Sequence, residues 1–491
     1  MAISGIINTN VNSLNSLNAL NSTSSSLSTY IQQLSTGKQI NGPADNPAGY
    51  AISQRFQTQI NGLNQAVSNG NQAVSLVQTA TGALQNETNL LQQIRTIAVQ
   101  SANGSNTSQD RASLQGVVSQ LLAQVQTIAT QTQFNGQNLL DGTFSGQQFQ
   151  VGANANQIIN VSVANANSNA IGNNVMAASG TIYSTTGAAG SNGYAAGQAF
   201  TITSGAGAFT AGSVSVSGYA GAASVTVGAT DSAASIAAGI NAISQNTGVT
   251  ATANTSVAFT VTTGSFSFSI GNGTTTGQTN GVNISANVTD VSPTGLSGLV
   301  SAINGSTAQT GIAASVNSSN QLVLTQSQGD NISIKGFTGG GSLAAGTTTV
   351  SSTNQTALVQ GFTQLQSTQG YSLGNGTAIG LSNISTLSAV STVNVATVEG
   401  ANQALSIIDQ AINTLNQQGG ALGAIQNRIQ ASVQNVQTTA TNLQAAQSVV
   451  QDANIAQATT QLSKYQILQQ AGISTLATAN SLQQSYLKLL P

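Results

Sequence analysis

Across 491 residues the chain carries 8 Lys or Arg and 10 Asp or Glu, a net charge of -2, and neither His nor Cys. That removes Ser-His-Asp and Cys-His constellations, zinc sites of the usual kind and disulfide frames, and eight scattered cations cannot follow a row of phosphates. Nearly half of the sequence is Ser, Thr, Asn or Gln, so contact with water rests on hydroxyls and amides, and the chain reads as a non-enzyme with no cofactor, no metal and no nucleic-acid partner.

The first basic residue is Lys38, so the N-terminus lacks the pattern of a cleaved secretory signal. No run of about 18 apolar residues suggests a membrane span. The expectation is a chain that stays in the cytoplasm or leaves by a route needing neither cleaved signal nor anchor. Leu17, Leu20, Leu27, Ile31 and Leu34 then fall on heptad places, a narrow seam for a partner helix. A turn at Asn41 to Asp45 leads to Pro47, placed as the first residue of a helix behind Asn46. The long helix that follows has a seam of Phe56, Ile60, Leu63, Val67, Gly70, Val74, Val77, Thr81, Leu84, Thr88 and Leu91. The polar run Asn103 to Gln109 breaks it. Leu114, Val118, Leu121, Val125 and Ile128 resume it on a returning helix, which Phe134-Asn135-Gly136 closes with Gly136 as the left-handed cap.

From Val151 to Val398 the only charged residues are Asp231, Asp290, Asp330 and Lys335. Val257, Phe259 and Val261 alternate, Thr263-Gly264 turns, and Phe266, Phe268 and Ile270 alternate again, which predicts a hairpin. Ile240-Asn241 with Thr247-Gly248-Val249 returns as Ile303-Asn304 with Thr310-Gly311-Ile312, and Phe259 and Val261 return as Leu322 and Leu324. A short helix followed by strands has been duplicated, giving two small, mainly β modules with polar surfaces.

The far end mirrors the first. Leu405, Ile408, Ile412, Leu415, Gly419 and Leu422 lead to Ile429, Val433, Val436, Ala440, Leu443, Gln447 and Val450, and a last helix carries Leu462, Tyr465, Leu468, Ile473, Leu476, Leu482, Tyr486 and Leu489. Stripes this long cannot be buried within one helix. The two ends are therefore expected to pair with each other, and the remaining apolar surface with other copies. The fold class is α+β and multidomain: long terminal helices pairing into a coiled coil and a helical bundle, with mainly β outer modules inserted between them. Leu17, Leu20, Leu27, Ile31, Leu34, Leu462, Tyr465, Leu468, Ile473, Leu476, Leu482 and Leu489 are the expected coiled-coil and subunit-packing residues. Phe56, Ile60, Leu63, Val67, Val74, Val77, Leu84, Leu91, Leu114, Val118, Leu121, Val125, Ile128, Leu405, Ile408, Ile412 and Leu415 are the expected bundle core.

Several segments resemble the bacterial flagellins: Ile7-Asn8-Thr9-Asn10, Leu34-Ser35-Thr36-Gly37-Lys38, Ala44-Asp45-Asn46-Pro47-Ala48-Gly49 with Arg55-Phe56, Ala98 to Asn103, and Thr132 to Gly136. At the far end Leu422 to Arg428 and Gln466 to Gly472 complete the set in the family's order. The resemblance implies a structural subunit that polymerises into the extracellular flagellar filament for swimming. It implies an inner coiled coil of residues 1–42 and 451–491, a helical bundle of 43–170, with a β-hairpin, and 399–450, and a variable outer region of 171–398. It implies type III export without a cleaved signal, an export chaperone on the C-terminal region, and contacts with the filament cap and hook-junction proteins. It also places a contact helix for the Toll-like flagellin receptor of animals at Leu91 to Gln100. There Arg95, Ile97 and Gln100 match, whereas Gln93, Thr96 and Val117 replace charged places, so weak recognition is expected. Asn454 and Ala458 also replace acidic places. Few carboxylates remain to be lost on acidification, which suits a filament working in an acidic medium. Two other readings are a hook-filament junction protein, disfavoured by the Gln466 to Gly472 match and the duplicated middle, and a surface adhesin with coiled-coil ends.

Overall fold

A computed structural model describes residues 9–178, 183–184, 199–200, 202–203, 209–229, 231–273, 277–317, 319–345, 348–353 and 356–487. Ile7, Asn8 and Leu489, and the side chain of Tyr486, lie outside the described residues. The helices in chain order are α1 (Val11–Thr36), α2 (Pro47–Ala102), α3 (Ser108–Gln131), α4 (Ala233–Ala242), α5 (Ser244–Thr247), α6 (Ser297–Asn304), α7 (Thr307–Thr310), α8 (Val398–Gln451) and α9 (Ile455–Leu487). No described helix is long and apolar enough to cross a membrane. The chain divides into two compact units, one of Met1–Gln78, Gly146–Val161 and Ala424–Pro491, the other of Thr79–Ser145 and Ser162–Gly423; α2 and α8 contribute to both.

In the first unit α1 pairs with α9, and the beginning of α2 packs on the end of α8. Asn10 caps α1 by accepting from the Ser13 amide at 2.9 Å. Gly37 ends it in the left-handed conformation, φ 70°, which a side chain resists. Asn46 accepts from the Gly49 amide at 2.9 Å, so Pro47 starts α2 behind a capped position. Beside α2, the hairpin Gln147–Gln150 with Ile158–Val161 seats its Gln150 carbonyl on the Asn69 amide side chain at 3.1 Å. On its other flank Gly70 brings α2 against Val433, where a Cβ would overlap the valine methyl.

In the second unit α2, α3 and the start of α8 are tied by polar contacts at their ends. Thr107 and Asp110 make a reciprocal capping box at the start of α3. Arg111 spreads its guanidinium over the end of α2, donating to the carbonyls of Ser101, Asn106 and Asn103 at 2.8 to 2.9 Å. Gln115 accepts from the Val395 amide at 2.6 Å, joining α3 to the approach to α8. The sequence pattern puts the left-handed cap of α3 at Gly136. The cap is Thr132, in extended conformation, and Asn135 and Gly136 (φ 51° and 77°) form the two-residue turn of the small hairpin Gln133–Phe134 with Gln137–Asn138.

The β region belongs to the same unit. Among the described residues it comprises a sheet of eleven strands and one of five. Strand Gly172–Ala178 leaves the helices and strand Leu381–Ala389 returns to them, paired antiparallel from Gly172 with Ala389 onward; Val390 donates to Ile171 and Ser391 to Ser168 at 2.9 and 3.0 Å. The alternation about Thr263-Gly264 holds, since Val257, Phe259, Val261, Phe266, Phe268 and Ile270 are all buried, but the two strands are not a hairpin. Thr250–Val261 pairs with Leu322–Gln326 and Phe362–Ser367, while Gly264–Gly273 pairs with Gln278–Val288 and Ile332–Thr338 in the five-stranded sheet. The chain crosses between layers at Gly264, φ 143°, whose hydrogen faces the backbone of Gly340 and Gly341. Both apolar faces then meet in one core, where Phe337 stacks on Phe268 and meets Phe266 edge-on at 5.6 Å.

The repeat is exact in its capping. Asn241 exchanges two bonds with the Ala251 backbone, both 2.8 Å, and Asn304 does the same with Ala314 at 2.9 and 2.7 Å. Gly248 and Gly311 end the short helices at φ 72° and 68°. The copies diverge afterwards: the first continues as one strand, Thr250–Val261, whereas the second folds into the hairpin Ile312–Val316 with Leu322–Gln326. Phe259 consequently pairs with its own counterpart, Leu322.

Two helix glycines should respond oppositely to substitution. Gly82, around which a Cβ would meet nothing within 4 Å, should gain up to about 1 kcal/mol as Gly82→Ala through helix propensity. Gly70→Ala should instead lose about 1 to 3 kcal/mol by overpacking against Val433. Denaturant unfolding of both variants checks this; equal gains would mean that α2 and α8 do not meet at Gly70.

Candidate assembly surface

The α1 and α9 helices run antiparallel. Asn10 Nδ2 donates to the Ala479 carbonyl at 3.0 Å, Gln469 reaches Ser24 Oγ at 3.4 Å, and the rings of Tyr30 and Tyr465 stack 5.4 Å apart. Gly472 lies against Leu20, leaving just the room that a missing side chain provides. Below the pair, Gln39 donates to the Gln451 carbonyl at 2.7 Å and Ala453 to the Gly37 carbonyl at 2.9 Å, with Lys38 and Asp452 as facing residues of an antiparallel bridge.

Two helices in contact cover one face of each, and here the apolar stripes are wider than the contact. Leu20, Leu27, Leu34, Leu462, Tyr465 and Leu476 are half-buried. Leu17, Ile31, Leu468, Ile473 and Leu482 keep between 42% and 54% of their surface in solvent, and α1 has no fully buried residue. Val11, Leu14, Ile455 and Ile467, outside the seam expected from sequence, are exposed on the same helices; Val11, Leu14 and Ile467 lie one residue off its heptad places, and Ile455 stands one heptad before Leu462. Burying the exposed half of such a side chain is worth roughly 1 kcal/mol, so each helix carries a row of unspent apolar contacts.

The bundle residues fall differently. Ile60, Leu63, Val77, Leu84, Leu91, Val118, Val125, Ile408 and Leu415 are buried, while Phe56, Val67, Val74, Leu114, Leu121, Ile128, Leu405 and Ile412 are half-buried. Along α2 the fully buried column alternates three and four from Leu63 through Ala66, Gly70, Ala73, Val77, Ala80, Leu84, Glu87, Leu91, Ile94 and Ala98 to Ser101. It shares Leu63, Gly70, Val77, Leu84 and Leu91 with the sequence seam and takes its other members from the opposite side, because neighbours flank α2 on more than one side. Extending the alternation back from Ala98, Ile94 and Leu91 would have found it. Of the receptor-contact residues, Arg95 is exposed and paired with Asp409 at 2.6 Å, Ile97 is half-buried and Gln100 is exposed.

The first and last helices thus form a pair that keeps part of its apolar seam in solvent, on a chain whose middle is an inserted β region. A model of the bacterial flagellin N-terminal helical region matches residues 7–145, one of the C-terminal helical region matches 405–490, and the flagellin hook IN motif matches twice, at 213–265 and 265–328. The B-type flagellin of Pseudomonas aeruginosa is 36% identical over 496 aligned residues, covering 99% of each chain. A flagellin of Xenorhabdus nematophila is 41% identical over 166 residues, 34% of this chain and 53% of that one. Among solved structures, FliC from Burkholderia pseudomallei aligns over 72% of this chain and 99% of its own, at 21% identity and a TM-score of 0.30. The chain belongs to the bacterial flagellin family. It is a structural subunit of the extracellular flagellar filament.

Glu87 was not visible as a core residue from sequence, since a charged letter reads as solvent-facing. It is fully buried, and neither carboxylate oxygen has a hydrogen-bond partner. No other ionisable residue lies on α2 between Arg55 and Arg95, on α3 beyond Arg111, or on α8 between Asp409 and Arg428. Burial pushes the carboxyl up from 4.5 to about 8, so the folded chain holds a proton that the unfolded chain has released. The stability this contributes is complete below about pH 4.5 and is lost as pH rises toward 8. Glu399 is shifted upward by burial in the same sense, whereas Asp110 and Asp141, held down by hydroxyl and amide donors, act below this window. The unfolding free energy of the monomer, measured by urea titration, should therefore fall by several kcal/mol between about pH 5 and pH 8. Glu87→Gln should flatten most of that slope; an unchanged slope would show that the carboxyl is not its source.

Proposed function

We propose that this flagellin polymerises through the open faces of α1 and α9, with residues 1–42 and 451–491 forming the inner coiled coil, 43–170 and 399–450 the surrounding bundle, and 171–398 the outer surface. The observation that carries this reading is the row Leu17, Ile31, Leu468, Ile473 and Leu482, half in solvent along two helices already paired. Apolar association of this kind needs no ion pairs, in keeping with a chain that is 4% charged. The subunit is exported unfolded without a cleaved signal. An export chaperone covers α9 beforehand, and at the growing tip the subunit meets the cap and, at the filament base, the hook-junction proteins.

Seeded growth followed by electron microscopy tests the interface. The full chain should form filaments, and a chain lacking Gln451 to Pro491 should form none. Filaments from both would move the contact to the bundle or the outer region.

Recognition by the Toll-like flagellin receptor is weak on this reading. Arg95 is engaged by Asp409, and the uncharged Gln93, Thr96 and Val117 leave receptor polar groups without partners. A reporter-cell response far below that to a charge-rich flagellin is expected, and an equal response would contradict it. The neutral Glu87 and the scarcity of carboxylates also fit service in an acidic medium.

A further inference from the structure

In the second unit a groove of about 550 Å³ runs between α8 and the β region. Apart from the Tyr219 phenol, no ionisable side chain lines it, and its walls are amides and hydroxyls. Gln410, Asn413 and Gln417 stand at helical spacing on one face of α8. Opposite them is Tyr219, 49% exposed at the tip of the hairpin Gly212–Gly218 with Gly221–Val227. The tip is seated: Gly218 packs so close to the Thr247 carbonyl that a Cβ would overlap it, and the tyrosine ring lies over Gly248, whose left-handed backbone and missing side chain make the space. One part of the ring is thus fixed from behind while the rest faces solvent.

The floor is also set in advance. Gln366 directs its Oε1 to Ser406 Oγ at 2.9 Å, and that hydroxyl accepts from Asn173 at 2.7 Å. The Gln366 amide NH₂ is thereby turned away from this chain of bonds and remains a donor at the groove. The three amides of α8 make no side-chain hydrogen bond within the described residues.

We propose that this groove binds an uncharged carbohydrate. A sugar ring offers an apolar C–H face to the Tyr219 ring and neighbouring hydroxyls that each donate and accept, which a side-chain amide matches with its own acceptor and two donors. The volume lies in the range of small-molecule sites. A charged ligand would find no counter-ion here, and a peptide would find no deep apolar pocket, since the small residues at the rim are Ala220 and Gly248.

The test uses the full-length monomer, unseeded, so it does not depend on polymerisation. Saturation-transfer NMR is recorded with maltotriose, triacetylchitotriose and lactose, and with the anionic sialyllactose for comparison. At least one neutral saccharide should show saturable transfer that is unchanged in high salt. Tyr219→Ala and, separately, the exposed-site variant Gln417→Leu should each weaken it by about tenfold, the loss expected for one removed stacking or polar contact. Absence of transfer from every neutral saccharide, stronger transfer from the anionic one, or full binding by Tyr219→Ala would overturn the proposal.

Discussion

A pair of helices can hide only the stripe along which they touch, and the first and last helices of this chain carry more apolar surface than that stripe. The monomer settles the conflict halfway: Leu20, Tyr465 and Leu476 are partly covered, while Ile31 and Ile473 remain half in water. Register is fixed independently of those side chains. The backbone bonds joining Gly37 and Gln39 to Ala453 and Gln451 anchor one end of the pair, and the Asn10 bond to Ala479 the other. The unsatisfied seam is therefore presented in a defined geometry, which a set of freely sliding helices could not do.

The few charges serve the backbone more than each other. Asp45 takes the amides of Asn41 and Gly42, Asp231 that of Gly228, Asp110 that of Thr107, and Arg111 covers three carbonyls. Arg95 with Asp409 is the single ion pair among the described residues, and at this exposure such pairs contribute little. Ionic groups here close turns and helix ends, where an unpaired backbone group would be costly. Neutral amides do the remaining polar work.

Periodicity made much of this legible. Heptads located α1, α2, α3, α8 and α9, and the spaced Ile-Asn and Thr-Gly pairs located the two copies of the small module, down to the asparagines that cap them. What periodicity reports is which face is buried, not against what. Val261 and Phe266 alternate correctly whether their strands pair in one sheet or face each other across two, and only the glycine crossing at Gly264 separates the cases. On α2 the larger Val67 and Val74 drew the seam to their side, while flanking neighbours bury Ala66 and Ala73. The assembly surface could be read as apolar, yet which part stays open depends on how far α1 and α9 cover one another. Glu87 was hidden by its charge, and the groove at Tyr219 joins segments more than a hundred residues apart in the chain.

The neck where Gly172–Ala178 and Leu381–Ala389 lie side by side separates two design problems. The inserted region leaves and re-enters the helical part through adjacent strands, about 5 Å apart, so its two ends are a fixed, short distance from each other whatever lies beyond. Loop-closure entropy grows only with the logarithm of inserted length, and beyond the neck the insert meets α8 at Gln366, which accepts from Ser406. A shorter, longer or repeated module with neighbouring termini could occupy the same place without altering the pairing of α1 with α9. Duplication of the small module then lengthens the inserted region while the helix pair of α1 and α9 keeps its register.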